Sequence, residues 1–554
     1  MIETNFIKLY EKSFRENWDL PAFTDLNETT TTTYGEFAKN IARLHILFEE
    51  MGIKNKDKIA LIGRNHTAWA GIFMATITYG AVIVPILHEF HPDSMENIVL
   101  HSDAKIIFIE DNILRKLNTE KIAQPIFTIP NWEMINRDSS KTDSLKTIVD
   151  KKFTDKYPNG FKPSNIQYSN VHNDTVICLN YTSGTTGFSK GVMLTANNYA
   201  GNVVFAERLN LLLKGESIVA FLPMAHAYGC AFDFLYALSA GVHIHLLGQN
   251  VSPPVLLDAF QKVKPKLIIT VPLILEKIYQ KTLLPIISKP VIQSILKIPL
   301  LRNLVYTKIR KTMIASFGGN VKEIIVGGAA MSNEAEDFLH KTGLPFTIGY
   351  GMTECAPLIS YDRHEDFVPT SCGRVLEGIM EARIDSKEPT KEPGEIQVRG
   401  ENVMKGYYKN PTATDAAFTE DGWLRTGDLG TLDNENRLYI KGRIKTMLLG
   451  ANGQNIYPEE IEARLNNMPY VAESLIIKRK YRLVALIYPD THEMEETNVT
   501  FEQLESIMNN NRLLMNEKLA SYEQIGYVEL RKEEFEKTPK KSIKRFLYSE
   551  DNGE

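Results

Sequence analysis

The chain has 554 residues, 43% of them hydrophobic and 24% charged, with a net charge of −5. That length exceeds one compact core, so two or more domains are expected, and the composition is that of an ordinary globular protein. The acidic balance argues against bulk nucleic-acid binding. Cys178, Cys230, Cys355 and Cys372 stand singly without metal-ligand spacing, which points to a reducing compartment and no structural zinc.

Residues 1–17 are charged and amphipathic with no continuous apolar core, so no signal peptide is expected, and no apolar run is long enough to cross a bilayer. Over 34–51, Phe37, Ile41, Leu44, Leu47 and Phe48 share one helical face. A strand at 58–63, a buried helix at 67–79, strands at 81–86 and 105–110 and a helix at 93–101 follow. This alternation predicts a mainly parallel sheet wrapped by helices. The polar residues 136–162 read as a long surface excursion. The run 175–180 then reads as a strand delivering a loop.

That loop is Tyr181-Thr182-Ser183-Gly184-Thr185-Thr186-Gly187-Phe188-Ser189-Lys190-Gly191. Glycines let backbone N–H groups turn toward a phosphate chain, hydroxyls add donors, and Lys190 adds positive charge. The spacing differs from the Walker pattern, so this reads as a phosphate loop of another kind. Further strands are expected at 217–222, 242–247, 267–271 and 322–326. Between them, 203–212 and 231–238 offer apolar lining for a channel. Residues 283–311 are apolar and basic without one acidic residue. An anionic membrane surface or ordinary packing accounts for them, and Pro285, Pro290 and Pro299 are expected to interrupt any long helix.

Gly327-Gly328-Ala329-Ala330 offers small residues against which a flat base can lie. Gly349-Tyr350-Gly351-Met352-Thr353-Glu354 presents an aromatic, a hydroxyl and a carboxylate able to hold Mg2+. After Pro357, short alternating segments between Pro/Gly turns suggest a small β-rich subdomain over 357–444. There, Trp423-Leu424-Arg425-Thr426-Gly427-Asp428 places an acid on a glycine-bearing turn suited to ribose hydroxyls, and Lys441-Gly442-Arg443 adds a cationic grip. A hinge is placed near Lys445. Beyond it, a helix at 458–466, strands at 471–478 and 483–488 and the helical stretch 501–520 make a smaller α+β domain.

Phosphate loop, Gly-Tyr-Gly-Met-Thr-Glu, Thr-Gly-Asp, Gly-Arg and Gly-Gln-Asn-Ile-Tyr-Pro-Glu-Glu-Ile-Glu, in this order from about Thr33 to the end, resemble the adenylate-forming superfamily. Leu222-Pro223-Met224-Ala225-His226-Ala227-Tyr228-Gly229 and the run 271–279 carry a closer likeness to bacterial long-chain fatty acid–CoA ligases. The resemblance implies an α/β fold: a large N-terminal domain, 1–444, of stacked helix-flanked sheets with a β-barrel-like subdomain, and a mobile lid domain, 445–554. It implies an ATP-dependent, AMP-forming fatty acid–CoA ligase that uses Mg2+, with ATP and coenzyme A as co-substrates. Thr182, Ser183, Gly184, Thr185, Thr186, Gly187 and Lys190 would clamp the phosphates, Thr353 would reach the α-phosphate, and Glu354 would hold Mg2+. Tyr350, Gly328 and Ala329 would frame adenine, Asp428 and Arg443 would fix ribose, Gly351 and Ile440 would also belong to the cofactor site, and Gly453 would line the coenzyme A tunnel. His226 falls where the family has a group beside the acyl carboxylate; a packed histidine is the alternative.

The family's lid rotates about the Lys445 position and carries a C-terminal lysine in Lys-Thr-Pro-x-x-Lys. Here Ser542 stands at that place after Lys537-Thr538-Pro539-Lys540-Lys541, so either Lys541, the favoured candidate, or Lys540 takes the role, or adenylation relies on Lys190 and Mg2+ alone. Thr446 also departs from the acidic residue common there. The partners implied are fatty acid, ATP and coenzyme A, with no nucleic acid and a cytoplasmic location; peripheral contact to the inner face of a membrane, through 283–311, and a homodimer are left open. Rival readings are an acyl–acyl carrier protein ligase, an amino-acid-activating adenylation enzyme built around Asp233, and a non-catalytic nucleotide-binding regulator.

Overall fold

The computed structural model describes the chain apart from residues 136–139, 183–189, 249–250, 280–282, 329–330, 450–454, 480–481, 521–522, 539–541 and 549–554, and apart from the side chains of 140–144, 300, 449 and 455. A seven-stranded sheet organises the larger domain. Its spatial order is Gly406–Tyr407, Lys190–Thr195, Val176–Thr182, Val82–Ile86, Lys58–Ile62, Ala104–Glu110 and Ile126–Ile129. The last five strands run parallel, and the first two pairings are antiparallel. Helices cover a parallel sheet on both faces, so its strands are apolar throughout, and every residue of Val82–Ile86 is buried.

Local signals set the element ends. In helix Thr67–Tyr79 the His66 side chain accepts from Ala68 N–H at the start, and Gly80 closes it at φ 91°. Thr33 and Glu36 form a reciprocal cap on helix Tyr34–Glu50. The expected excursion at 136–162 is corrected: Ser140–Lys156 is helical. Val149 and Phe153 are buried, and Arg43 of helix Tyr34–Glu50 lies 4.7 Å from the Phe153 ring centre. Four-residue spacing of few apolar groups among many charges hid the pattern.

Two smaller sheets flank the centre. One orders Thr30–Thr33, Pro21–Asp25, His243–Leu246 and Ser217–Ala220; the other is parallel, Leu267–Thr270, Glu323–Val326 and Phe346–Ile348. The β-rich part is an antiparallel sheet of Met380–Asp385, Gly394–Gly400, Leu424–Leu432 and Leu438–Arg443. The small α+β domain pairs Val471–Arg479, Arg482–Pro489 and Ile525–Leu530 and packs helices Pro458–Leu465 and Phe501–Asn516 against them. The buried core of the larger domain runs from Phe6 to Leu438, and separate clusters begin at Ile456. No described helix is long and apolar enough to cross a membrane.

Burial of His45 between helices holds its pKa down at about 4, although its Nε2 lies 3.1 Å from the Ala75 carbonyl oxygen. The unfolded chain therefore binds this proton first. Stability is complete above pH 6.5 and is lost as pH falls toward 4, by about 2 kcal/mol at pH 5 for one such histidine. Glu336, raised by burial to about 7, acts in the opposite direction, so the comparison must be internal. His45→Gln keeps an N–H donor, and urea unfolding is expected to show about 2 kcal/mol less loss between pH 7 and pH 5 than in the parent. Identical pH dependence in both proteins refutes the assignment.

Candidate active site

Strands Val176–Thr182 and Lys190–Thr195 form a hairpin whose last ladder pair is Thr182 opposite Lys190. The register alone returns Lys190 to the mouth of the loop. Ser183, Gly184, Thr185, Thr186 and Gly187 lie outside the described residues. Lys190 Nζ stands 4.7 Å from the ring centre of Tyr407, which pairs with Val192 on the neighbouring strand. Such a cation–π contact holds the ammonium without neutralising it. The Tyr407 hydroxyl donates to Glu354 Oε1 at 2.9 Å. One aromatic ring thus spaces Lys190 from the carboxylate.

Glu354 sits in a single 3-10 turn, Thr353–Cys355, after the short strand Tyr350–Gly351. A Cβ at Gly351 would lie 2.2 Å from the Pro357 carbonyl oxygen, so the antiparallel turn excludes any other residue there. Thr353 is buried and Glu354 half-buried. Among the described residues no lysine or arginine forms an ion pair with Glu354. A half-buried carboxylate that accepts one hydrogen bond and keeps further lone pairs fits Mg2+.

The Tyr350 hydroxyl donates to Asp428 Oδ2 at 2.6 Å, and Arg443 Nε lies 3.1 Å from Asp428 Oδ1. Asp428 does not lie on a simple turn. It belongs to strand Leu424–Leu432, cross-strand from Arg443, where Arg425 through Leu429 oppose only Gln397 to Glu395. The bulge, eased by Gly427 at φ 72°, turns Asp428 toward Tyr350. Burial pushes the Asp428 carboxyl above its usual range, against the pull of Arg443 and Tyr350, while Glu354 and Glu459 push with it. Burial and the Asp428 charge raise the Tyr350 phenol well above 10.

Strand Glu323–Val326 ends at Gly327 and Gly328. Gly328, at φ 88°, has only Val271 among the described residues within 4 Å of a Cβ position, at 3.9 Å. Ala329 lies outside the described residues. His226 is half-buried, and its Nδ1 accepts from Tyr228 N–H at 3.3 Å, so the neutral ring carries its proton on Nε2. Asn180, on strand Val176–Thr182, donates to the Ala225 carbonyl at 3.2 Å and ties the His226 segment to that strand.

The sequence model of the AMP-binding enzyme family matches residues 10–408, which is most of the chain. The chain belongs to the AMP-binding enzyme family. It is 26% identical over 478 residues to the long-chain-fatty-acid–CoA ligase FadD15 of Mycobacterium bovis, covering 81% of this chain and 75% of that one. It is 27% identical over 467 residues to 4-coumarate:CoA ligase 1 of Petunia hybrida, covering 81% and 77%. The fold is similar to that of ATP-bound MatB from Rhodopseudomonas palustris, with a TM-score of 0.74, 21% identity and 98% of each chain covered.

In this AMP-binding protein the other sequence candidates are less tightly placed. Ile440 lies on strand Leu438–Arg443 opposite Gly430. Lys445 is exposed in the turn that follows, where Thr446 Oγ1 donates to the Arg443 carbonyl at 3.0 Å and braces the turn. That contact gives Thr446 a role an acidic side chain lacks. Gly453 and Lys541 lie outside the described residues. Ser542 is exposed, and its carbonyl accepts from Thr538 N–H at 2.8 Å. Sequence reading missed Tyr407. Its only signal was an aromatic pair after a glycine, Gly406-Tyr407-Tyr408, with no hint of the partners.

Proposed function

We propose that this chain is an ATP-dependent fatty acid–CoA ligase. The substrate carboxylate attacks the α-phosphorus of ATP and the bond to the β-phosphate breaks, giving acyl-adenylate and pyrophosphate. The coenzyme A sulfur then attacks the acyl carbon, AMP leaves, and the thiol proton passes to solvent. Two anions meet in the first step, so positive charge must be in place before reaction. The observation that carries the reading is the convergence of Lys190, Tyr407 and Glu354 beside Tyr350, Asp428 and Arg443.

Lys190, Thr182 and the loop residues Ser183, Gly184, Thr185, Thr186 and Gly187 would hold the β- and γ-phosphates, and Thr353 the α-phosphate. Glu354 would hold Mg2+, which offsets phosphate charge when bound. Tyr350, Gly351, Gly328 and Ala329 would frame adenine, and Asp428, Ile440 and Arg443 the ribose. His226 would face the acyl carboxylate. Lys445 is the proposed hinge between the domains, and Gly453 the proposed contact with coenzyme A.

An apolar acid is favoured by the wall behind His226. All eight residues of the π-helix Gly229–Tyr236 are buried. Asp233 within it is 1% exposed, its Oδ2 has no partner among the described residues, and burial raises its pKa well above the ordinary aspartate value. Burial in apolar surroundings disfavours the charged form of this carboxyl, which makes it a poor counter-ion for a substrate ammonium and weighs against amino-acid activation. Similar identity to the petunia enzyme supports an aryl acid as the second reading.

The test is AMP formation from ATP and Mg2+ across fatty acids of short to long chain and 4-coumarate, each with and without coenzyme A. Turnover with long chains only when coenzyme A is present is expected. Turnover restricted to 4-coumarate establishes the second reading, and turnover without coenzyme A points to another acceptor. Lys537 and Lys544, on either side of Lys541 in the sequence, are already paired, with Glu473 at 2.7 Å and Glu536 at 3.2 Å. Lys541→Ala is therefore expected to slow adenylation roughly 100-fold while leaving thioester formation from preformed acyl-adenylate within about 3-fold. Equal loss in both half-reactions, or none, defeats the role given to Lys541.

A further inference from the structure

The crossover between the parallel strands Leu267–Thr270 and Glu323–Val326 carries nine lysines and arginines and no acidic residue between Glu276 and Glu323, in a protein of net charge −5. Its helices include Leu284–Ile287, Pro290–Leu296 and Pro299–Ser316. The prolines expected to interrupt helices instead stand in their first turns, where no N–H partner is lost. Length is therefore available for a long surface helix.

One side of this crossover is anchored. Leu283, Ile287, Met313 and Phe317 are buried, and Tyr306 meets the Phe338 ring edge-on at 5.9 Å. The other side faces water despite its composition. Pro290–Leu296, with sequence PVIQSIL, buries no residue. Val291 is 70% exposed, Ile298 49% and Leu304 66%, and every described side chain from 297 to 304 is exposed. Single exposed aliphatics are ordinary; several within a short stretch spanning two touching helices are not. Lys289, Lys297 and Arg302 stand among them in the sequence, and all three are exposed.

We propose that this stretch docks on an anionic lipid bilayer, with Val291, Ile298 and Leu304 entering the interfacial zone and the basic side chains meeting phosphate headgroups. Charge selects this occupant. A second copy docked on the same patch would set basic groups against basic groups, whereas an anionic surface complements all of them at once. The surface stands whether or not the activated acid is a fatty acid, because binding requires neither ATP nor acid.

The experiment is co-sedimentation of the full chain with phosphatidylcholine vesicles, with and without about 30% phosphatidylglycerol, at low and high salt. Partitioning at least about 10-fold stronger on the anionic vesicles, and abolished by high salt, is expected. Lys297→Glu with Arg302→Glu, and separately Val291→Asp with Leu304→Asp, are each expected to lower partitioning about 10-fold or more. The Lys387→Glu, Lys391→Glu pair, on the β-rich subdomain, is expected to leave it unchanged. All four target side chains are exposed, and AMP formation with a water-soluble acid reports that the variants remain folded. Equal binding to both vesicle types, or binding unaffected by either double variant, overturns the proposal. So does a patch-dependent shift in oligomeric state without vesicle binding, which assigns the surface to a second copy.

Discussion

Glu354→Gln is expected to lower the rate of pyrophosphate release from ATP and acid by roughly 1000-fold, with the thermal unfolding midpoint unchanged. The substitution is nearly isosteric. The amide oxygen still accepts the Tyr407 hydroxyl, so the 3-10 turn and its packing have no reason to move. What disappears is the negative charge and the hard oxygen donor that the proposed Mg2+ site requires. The defect should lessen as Mg2+ is raised, because metal binding and not the fold is impaired. Tyr407→Phe separates the two parts of this arrangement. It keeps the ring under Lys190 at 4.7 Å and removes the donor to Glu354, and a loss of about 10-fold is expected, mainly in the Mg2+ requirement. Pyrophosphate release by Glu354→Gln within about 3-fold of the parent would falsify the metal role.

Asp428→Asn is expected to raise the KM for ATP about 100-fold. In the parent, Tyr350 donates to one carboxylate oxygen and Arg443 lies against the other, so the group is fixed before any ribose arrives. Asparagine can keep the first contact only by turning its NH2 toward the guanidinium. The pH profile gives an independent check. Burial raises the Asp428 pKa, so this carboxylate protonates at a higher pH than an exposed one, and kcat/KM for ATP falls as pH falls through that range. Arg443 holds the pKa down. Arg443→Leu is therefore expected to move the acid limb to still higher pH, besides weakening ATP binding. An acid limb that stays fixed, or moves to lower pH, removes Asp428 as the titrating group.

Much of the larger domain was legible because its signals are local. Helix Thr67–Tyr79 is framed by a side-chain cap at His66 and a left-handed glycine at Gly80, and both act within one turn of the helix they bound. The fully buried strand Val82–Ile86 is apolar without interruption. Ser140–Lys156 was illegible for the converse reason. Its inward residues make sense only against Arg43 and its neighbours on helix Tyr34–Glu50, and composition alone reads as a polar loop. Asp428 illustrates a subtler miss. Thr-Gly-Asp resembles a turn in sequence, and the bulge exists only because Glu395 to Gln397 pairs across it.

The sequence by itself determined the order and spacing of the nucleotide motifs and hence the superfamily. Those motifs are contiguous runs whose backbone demands, glycines at positive φ or in tight approach and hydroxyls beside them, are written residue by residue. The tertiary structure alone decided which side chains meet. Tyr407 reaches Glu354 across 53 residues, and Tyr350 reaches Asp428 across 78. Both meetings depend on sheet register, which long-range pairing sets and no local periodicity encodes. It also decided which apolar residues stay in water: the helices between Leu267–Thr270 and Glu323–Val326 cover one of their faces and leave Val291 and Leu304 outside, because burial is a property of neighbours brought in from elsewhere in the chain.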